Sequence, residues 1–249
     1  AVAAIALVGC GDAERARNIG DAIVIAQSHD RFWRDGRLRN AYRAGPVGDG
    51  VVALPGRWSD AEGKWLEDSY QVGTDSGNMG WAMLALLALD RSVADGGRYR
   101  DAAARIGGWV AGLRDGRGAG GYKGGFLGWE PSPAAAEWKS TEHNTDLAAA
   151  FALLAQATHR SVWSDRAQEA RGFVAAMWRA DCACFAAGAR DDGVAINGMP
   201  ALDAQIWPLL ALPNAAPWSD AFATSGRRLA AKPGPGFTYS AAGDGFWTE

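Results

Sequence analysis

Four acidic residues stand at or near the start of helix-like segments. The junctions are Thr74-Asp75-Ser76-Gly77-Asn78, Ser140-Thr141-Glu142-His143-Asn144-Thr145-Asp146, Pro200-Ala201-Leu202-Asp203-Ala204-Gln205 and Phe246-Trp247-Thr248-Glu249. The first three each open an apolar run of helical period. A helix N-terminus leaves backbone N–H groups unsatisfied and carries partial positive charge, so one such acid is an ordinary cap. Several acids brought to one rim are different: a ring of carboxylates is a chemical site. Asp146 lies one helical turn after Glu142, so the two face the same way.

The elements that must position these acids come in pairs. Helical periodicity predicts Ala1–Val8 with Ala13–Gln27, Asn78–Leu89 with Tyr99–Leu113, Thr145–Ala157 with Asp165–Trp178, and Ala204–Leu212 with Trp218–Ala231. Short turns join the partners and long loops join the pairs, with junctions roughly 60–70 residues apart. The first helix of a pair, as in Met79–Leu89, is apolar on every side, while the second, as in Tyr99–Val110, carries a charged stripe. All-round apolarity means burial on all sides, and a polar stripe marks an outer face. The pattern predicts an all-α toroid, (α/α)n, of inner and outer helices. Its inner N-termini share the rim fed by the long loops. Strand signal is slight: only Val51–Leu54 and Gly236–Tyr239 could extend within loops.

Composition narrows the chemistry. Charge is nearly balanced at a formal net of −3, and no basic stripe accompanies the aromatics, which argues against a nucleic-acid partner. No apolar run approaches the length of a membrane span. Three cysteines make no disulfide framework, and Cys182 and Cys184 read as too close for an ordinary bridge. With His29, His143 and His159 scattered, the sequence gives no metal-ligand spacing and implies no cofactor. Gly116–Gly121 lacks the Lys and the preceding strand of a phosphate loop. Tryptophan is in excess, with 12 residues, several in loops beside acids. Such indoles suit the flat apolar face of a sugar ring. The chain opens inside a helical pattern and closes as another helix starts, so residues 1–249 read as one toroid domain cut from a longer chain. Localisation is open: secreted or periplasmic if a signal peptide precedes it, cytoplasmic otherwise.

Taken together, the junctions above, with Gly128-Trp129-Glu130-Pro131 and Trp138-Lys139, resemble motifs of a largely uncharacterised bacterial family within the six-hairpin glycosidase superfamily. The resemblance implies an (α/α)6 barrel, of which four hairpins are visible, and carbohydrate chemistry on an oligo- or polysaccharide. Glycoside hydrolysis needs two carboxyl groups in different protonation states, roughly 6.5–9.5 Å apart for inversion and about 5–5.5 Å apart for retention. Glu142 is the candidate acid, beside Trp138, His143 and Asn144, where an apolar wall would raise its pKa. Asp75 is the candidate base, Asp203 the alternative, and Asp146 a further catalytic candidate. His143, Asn144 and Asn78 are candidates to bind substrate. Trp129, Trp138 and Trp81 are candidate sugar platforms, and Glu130 a rim acid.

Rival readings use the same rim. A lyase would draw on His143, Tyr122 and Lys139 as base and charge neutraliser. An epimerase, or a terpene-type cyclase or dehydratase with one protonated Asp, is another. A toroid that binds a glycan or a protein without catalysis is the third.

Overall fold

Residues 1–45, 47–94, 96–231 and 235–240 are described by the computed structural model. Nine α-helices lie among them: α1 (Val2–Gly9), α2 (Ala13–Ser28), α3 (Ser69–Val72), α4 (Ser76–Ser92), α5 (Arg98–Ala111), α6 (Thr141–Thr158), α7 (Ser161–Ala176), α8 (Leu202–Ala211) and α9 (Asp220–Arg228). Trp247 and Glu249 fall outside the described residues.

The apolar run from Met79 to Leu89 explains why α4 sits at the centre. Met83, Ala85, Leu86 and Leu89 are fully buried, and α4 packs against α1, α5 and α6. Each such Leu or Met side chain contributes about 1.5–3 kcal/mol on full burial. Helix α6 is built alike, with Leu147, Ala150, Phe151 and Leu154 fully buried, and it packs on α4, α7 and α8. Inner helices therefore follow the order α1, α4, α6, α8, with α2, α5, α7 and α9 as their hairpin partners. This is the all-α (α/α) toroid that the alternation of apolar and striped helices predicts. Left-handed residues make two of the turns: Gly97 precedes α5 at φ 85°, and His159 ends α6 at φ 54°.

Short strands organise the rim, and their number departs from the sequence expectation. They are β1 (Gly56–Ser59), β2 (Lys64–Glu67), β3 (Thr74–Asp75), β4 (Gly125–Leu127), β5 (Ala134–Ala136), β6 (Lys139–Ser140), β7 (Trp178–Arg179), β8 (Cys184–Phe185), β9 (Gly188–Ala189) and β10 (Ile196–Asn197). The two segments expected to extend form single bridges only, Gly48 to Val51 and Ala230 to Phe237.

One device recurs before three inner helices. Strand β3 leads into α4 and pairs with β4, β6 leads into α6 and pairs with β9, and Ala201 leads into α8 and bridges Ser240. Glycine is required where the strands meet. Gly125 (φ 125°) and Gly188 (φ 154°) press on the Thr74 and Lys139 carbonyls, and a Cβ would approach those oxygens to 2.0 and 1.8 Å.

The expectation for Cys182 and Cys184 is corrected: the two are joined in a disulfide. Ala183 between them adopts a left-handed conformation (φ 49°), and this tight turn brings the two Cα atoms to 5.2 Å, within reach of a bridge.

Candidate active site

Helix registration decides what each acid does locally. The helices begin at Ser76, Thr141 and Leu202, earlier than periodicity alone places them. Asp75 is therefore the residue before α4, whereas Glu142 and Asp203 are each the second residue of their helix. The α4 position equivalent to Glu142 is Gly77, where a Cβ would come within 2.5 Å of the His143 ring. The three junctions thus repeat in backbone but not in chemistry. The N-cap of α6 is Ser140, which accepts from the His143 N–H, leaving the Glu142 carboxyl unused as a cap. Neither Asp75 nor Ala201 caps its helix through a side-chain hydrogen bond.

A repeated amide clamp locks this registration. The Asn144 Oδ1 accepts from the Tyr122 N–H (2.9 Å), and its Nδ2 donates to the carbonyls of Tyr122 (3.1 Å) and Ser140 (2.9 Å). One helix along, Gln205 does the same with the Phe185 N–H (2.7 Å) and the carbonyls of Phe185 (2.9 Å) and Ala201 (3.1 Å). At the equivalent place in α4, Met79 Sδ takes the Leu38 N–H at 3.4 Å. Asn144 is fully buried and its amide is spent on backbone, so it positions the rim instead of meeting a substrate.

Asp75, Glu142, His143 and Asp203 line one cleft of about 850 Å³, walled by Tyr70, Trp138, Tyr239 and residues 187–192. These residues come from α3, α6 and α8, the end of β3, and three connecting segments. Burial is the first cause of every carboxyl shift in it. Asp75 is pushed up to about 6 by burial, against hydrogen bonds from Asn40 and Tyr70 that favour its ionised form. Burial, then the charges of Asp203 and Asp75, raise Glu142 well above the usual carboxylate range. Asp146, 4% exposed, is raised further by burial and by Glu142, while the Trp81 side chain hydrogen-bonds to it. Glu142 and Asp146 hydrogen-bond each other, and their mutual repulsion keeps a proton on the pair at neutral pH. Burial raises Asp203 too, opposed by the Ala204 N–H and the Tyr239 hydroxyl. His143 is pushed down to about 4 by burial and is neutral. Its Nδ1 lies 3.0 Å from Ser76 Oγ and its Nε2 3.4 Å from Glu142.

Two of these carboxyls keep an unused oxygen. Among the described residues, Asp75 Oδ1 and Asp146 Oδ2 are buried and have no hydrogen-bond partner. A buried carboxylate oxygen left unpaired is costly, and such exceptions in native proteins mark places where something else binds. No three His, Cys, Asp or Glu side chains among the described residues are grouped so as to hold a metal ion.

Other candidates are distributed more widely than the sequence suggests. Trp138 is at the cleft wall, edge-on to His143 with ring centroids 5.2 Å apart. Trp81 does not line the cleft; it is edge-on to Trp207 at 5.4 Å and hydrogen-bonds Asp146. Asn78 donates to Asn40 (2.9 Å), which also accepts the Asp75 N–H (2.7 Å). Glu130 and Trp129 do not line the cleft. Glu130 is held by Arg31 and Arg39, and the Trp129 indole donates to Glu67 at 3.1 Å. Of the residues proposed for a lyase, His143 lines the cleft, while the side chains of Lys139 and Tyr122 are committed elsewhere. Lys139 pairs with Asp115 at 3.2 Å and donates to the Arg117 carbonyl, and the buried Tyr122 donates to Glu169 at 3.0 Å. Sequence reasoning missed Asn40, Tyr70 and Tyr239. Asn40 and Tyr239 come from loops and Tyr70 from the one-turn helix α3, none with a motif, and only the fold brings them to the acids.

Fold and cleft together define an all-α (α/α) toroid with a carboxylate-lined rim, with four helical hairpins among the described residues. Among solved structures, the chain is similar to a family 76 glycoside hydrolase from a bovine Bacteroides thetaiotaomicron strain, with a TM-score of 0.50 and 15% identity over 65% of this chain and 38% of that one. It is equally similar to a family 76 glycoside hydrolase (mannosidase) from Bacteroides thetaiotaomicron, with a TM-score of 0.50 and 11% identity over 65% of this chain and 48% of that one. The chain thus spans less than half the length of either. No protein-family model matches it, and no curated protein matches it in sequence.

Proposed function

We propose that the chain is a carbohydrate-active enzyme, a glycoside hydrolase working at the rim of the inner helices. The observation that carries this reading is the convergence of Asp75, Glu142 and Asp203 on one cleft, with a buried Asp75 oxygen unused. The fold shared with two family 76 glycoside hydrolases supports it.

The division of labour follows from the surroundings. Glu142, whose proton affinity is raised by burial and by the charges of Asp203 and Asp75 against a hydrogen bond from Asp146, gives its proton to the glycosidic oxygen as the bond from that oxygen to the anomeric carbon breaks. Asp75, whose pKa of about 6 leaves it mostly ionised at neutral pH, takes the proton of the water that bonds to the anomeric carbon. Asp203 flanks Glu142 from α8 as the alternative base. Asp146, beneath, holds the Glu142 carboxyl in place and retains a proton at neutral pH. Tyr70, Trp138 and Tyr239 supply aromatic walls for a sugar ring.

The test is the release of new reducing ends from a panel of neutral polysaccharides, α-mannan among them. Glu142→Gln is expected to cut turnover by about 10²–10⁴-fold while leaving the melting temperature and glycan binding nearly unchanged. Wild-type turnover in that variant overturns the assignment. An unsaturated product absorbing in the ultraviolet, in place of reducing ends formed by water, replaces hydrolysis with elimination.

A further inference from the structure

The β1–β2 hairpin carries an exposed aromatic face that the cleft does not use. Its register pairs Gly56 with Glu67 and Trp58 with Trp65. Paired residues point the same way and successive residues alternate, so Glu67, Trp65 and Trp58 share one face, with Glu67 and Trp65 about 7 Å apart along the strand. Trp129 joins this face from the β4–β5 loop through its indole bond to Glu67. Trp58 is 58% exposed and Trp129 45% exposed, a large outlay of apolar surface on one rim.

The acids of this face are held in place. Arg31 grips Glu67 with two hydrogen bonds (2.5 and 2.9 Å) and also bonds Glu130, so the acid that orients the Trp129 indole is itself held. Arg39 is fully engaged with Asp30 and Glu130, and Arg43 lies over the Trp65 ring at 4.3 Å. On this face Arg31, Arg39 and Arg43 are thus spent on carboxylates or on an indole, while the exposed Arg57, paired with Leu66, falls on the opposite face of the hairpin. An anionic polymer finds no uncommitted cation on the Trp58 face, whereas a neutral sugar offers apolar ring faces to the indoles and hydroxyls to Glu67.

The face is also continuous with the cleft. The Gly128 N–H donates to the Ser69 carbonyl at 2.9 Å, which sets Trp129 beside the segment whose next residue, Tyr70, lines the cleft. We infer that Trp58 and Trp129, on either side of Glu67, form a distal binding surface for a neutral polysaccharide chain that runs on from the acid cleft past Tyr70. The inference rests on the reading of the cleft as a glycan site.

Native gels cast with α-mannan, galactomannan or xylan test it. The Glu142→Gln variant, which does not consume the gel, serves as background. At least one gel is expected to retard it. Trp129→Ala and Trp58→Ala are each expected to weaken apparent affinity about fivefold or more, and Trp129→Phe, which keeps a ring, by less. Circular dichroism checks that each variant is folded. Retardation unchanged in both alanine variants overturns the surface, even where wild-type protein releases reducing ends. Retardation that depends on the two tryptophans, without any release by wild type, keeps the surface and sinks the hydrolase reading. No retardation in any gel overturns the proposal. So does self-association in gel filtration that Trp58→Ala abolishes, because a second copy then occupies the face.

Discussion

At the scale of residues, the account turns on how one cleft gives like side chains different proton affinities. Asp75 and Glu142 are both carboxyls raised by burial, yet Asp75 also receives Asn40 and Tyr70, while Glu142 faces the charges of Asp203 and Asp75. The rate should therefore rise with pH as Asp75 ionises near 6, and fall at higher pH as Glu142 loses its proton. Tyr70→Phe removes a bond that favours ionised Asp75. It should move the acid limb to higher pH and leave the alkaline limb in place, as a pH profile of kcat/KM would report. An unmoved acid limb removes Asp75 from the role of base. The acids were legible in the sequence because each sits at a helix start. Asn40, Tyr70 and Tyr239 were not, because the destination of a residue in a loop or a one-turn helix depends on contacts made far along the chain. Glu130 and Trp129 show the same blindness: the arginines that hold Glu130 lie 99 and 91 residues from it, and the one that holds Glu67 lies 36 residues away.

At the scale of elements, the inner helices could be read directly, since a run without polar side chains has few alternatives to burial. Their exact starts could not. A cap depends on one side-chain bond, and Ser140 makes it where Asp75 does not. That one-turn uncertainty made Asp75, Glu142 and Asp203 look equivalent when only the last two are. The two- and three-residue strands carry too little pattern to be seen in sequence at all. What fixes the registration is the amide clamp. Asn144→Ala or Gln205→Ala leaves a buried N–H and carbonyl of Tyr122 or Phe185 unpaired, at a cost of about 1–3 kcal/mol. The melting temperature should fall by roughly 2–4 °C per kcal/mol for a chain of this size. Alanine variants that melt with wild type would show that the clamps do not hold the rim.

At the scale of the molecule, the toroid holds several acids whose proton affinity rises on folding. Asp75, Glu142, Asp146 and Asp203 all have folded pKa values above their ordinary ones. The folded state then binds more protons than the unfolded state between those values, so stability falls as pH rises through that window. His143 works the other way below its ordinary value of 6.5, because it is held neutral down to about 4. Above about pH 6.5 His143 no longer opposes the carboxyls, and the melting temperature should decline toward pH 8. Asp146→Asn removes the largest of these liabilities. It should melt several degrees higher than wild type near pH 8, roughly 2–4 °C per kcal/mol gained, with the advantage vanishing near pH 4. Equal melting at both pH values would mean that Asp146 is not held protonated. The helix alternation made this architecture readable from sequence, while the charge traffic on its rim became visible only once the loops were in place.

The central claim is that the fold holds a proton on Glu142 by surrounding it with buried carboxyls. It can be tested without a substrate. In protein labelled with ¹³C at the glutamate side-chain carboxyls, a pH titration should show one resonance with its midpoint well above the ordinary carboxylate range, absent from Glu142→Gln. A spectrum in which every glutamate titrates within the ordinary range would contradict the account.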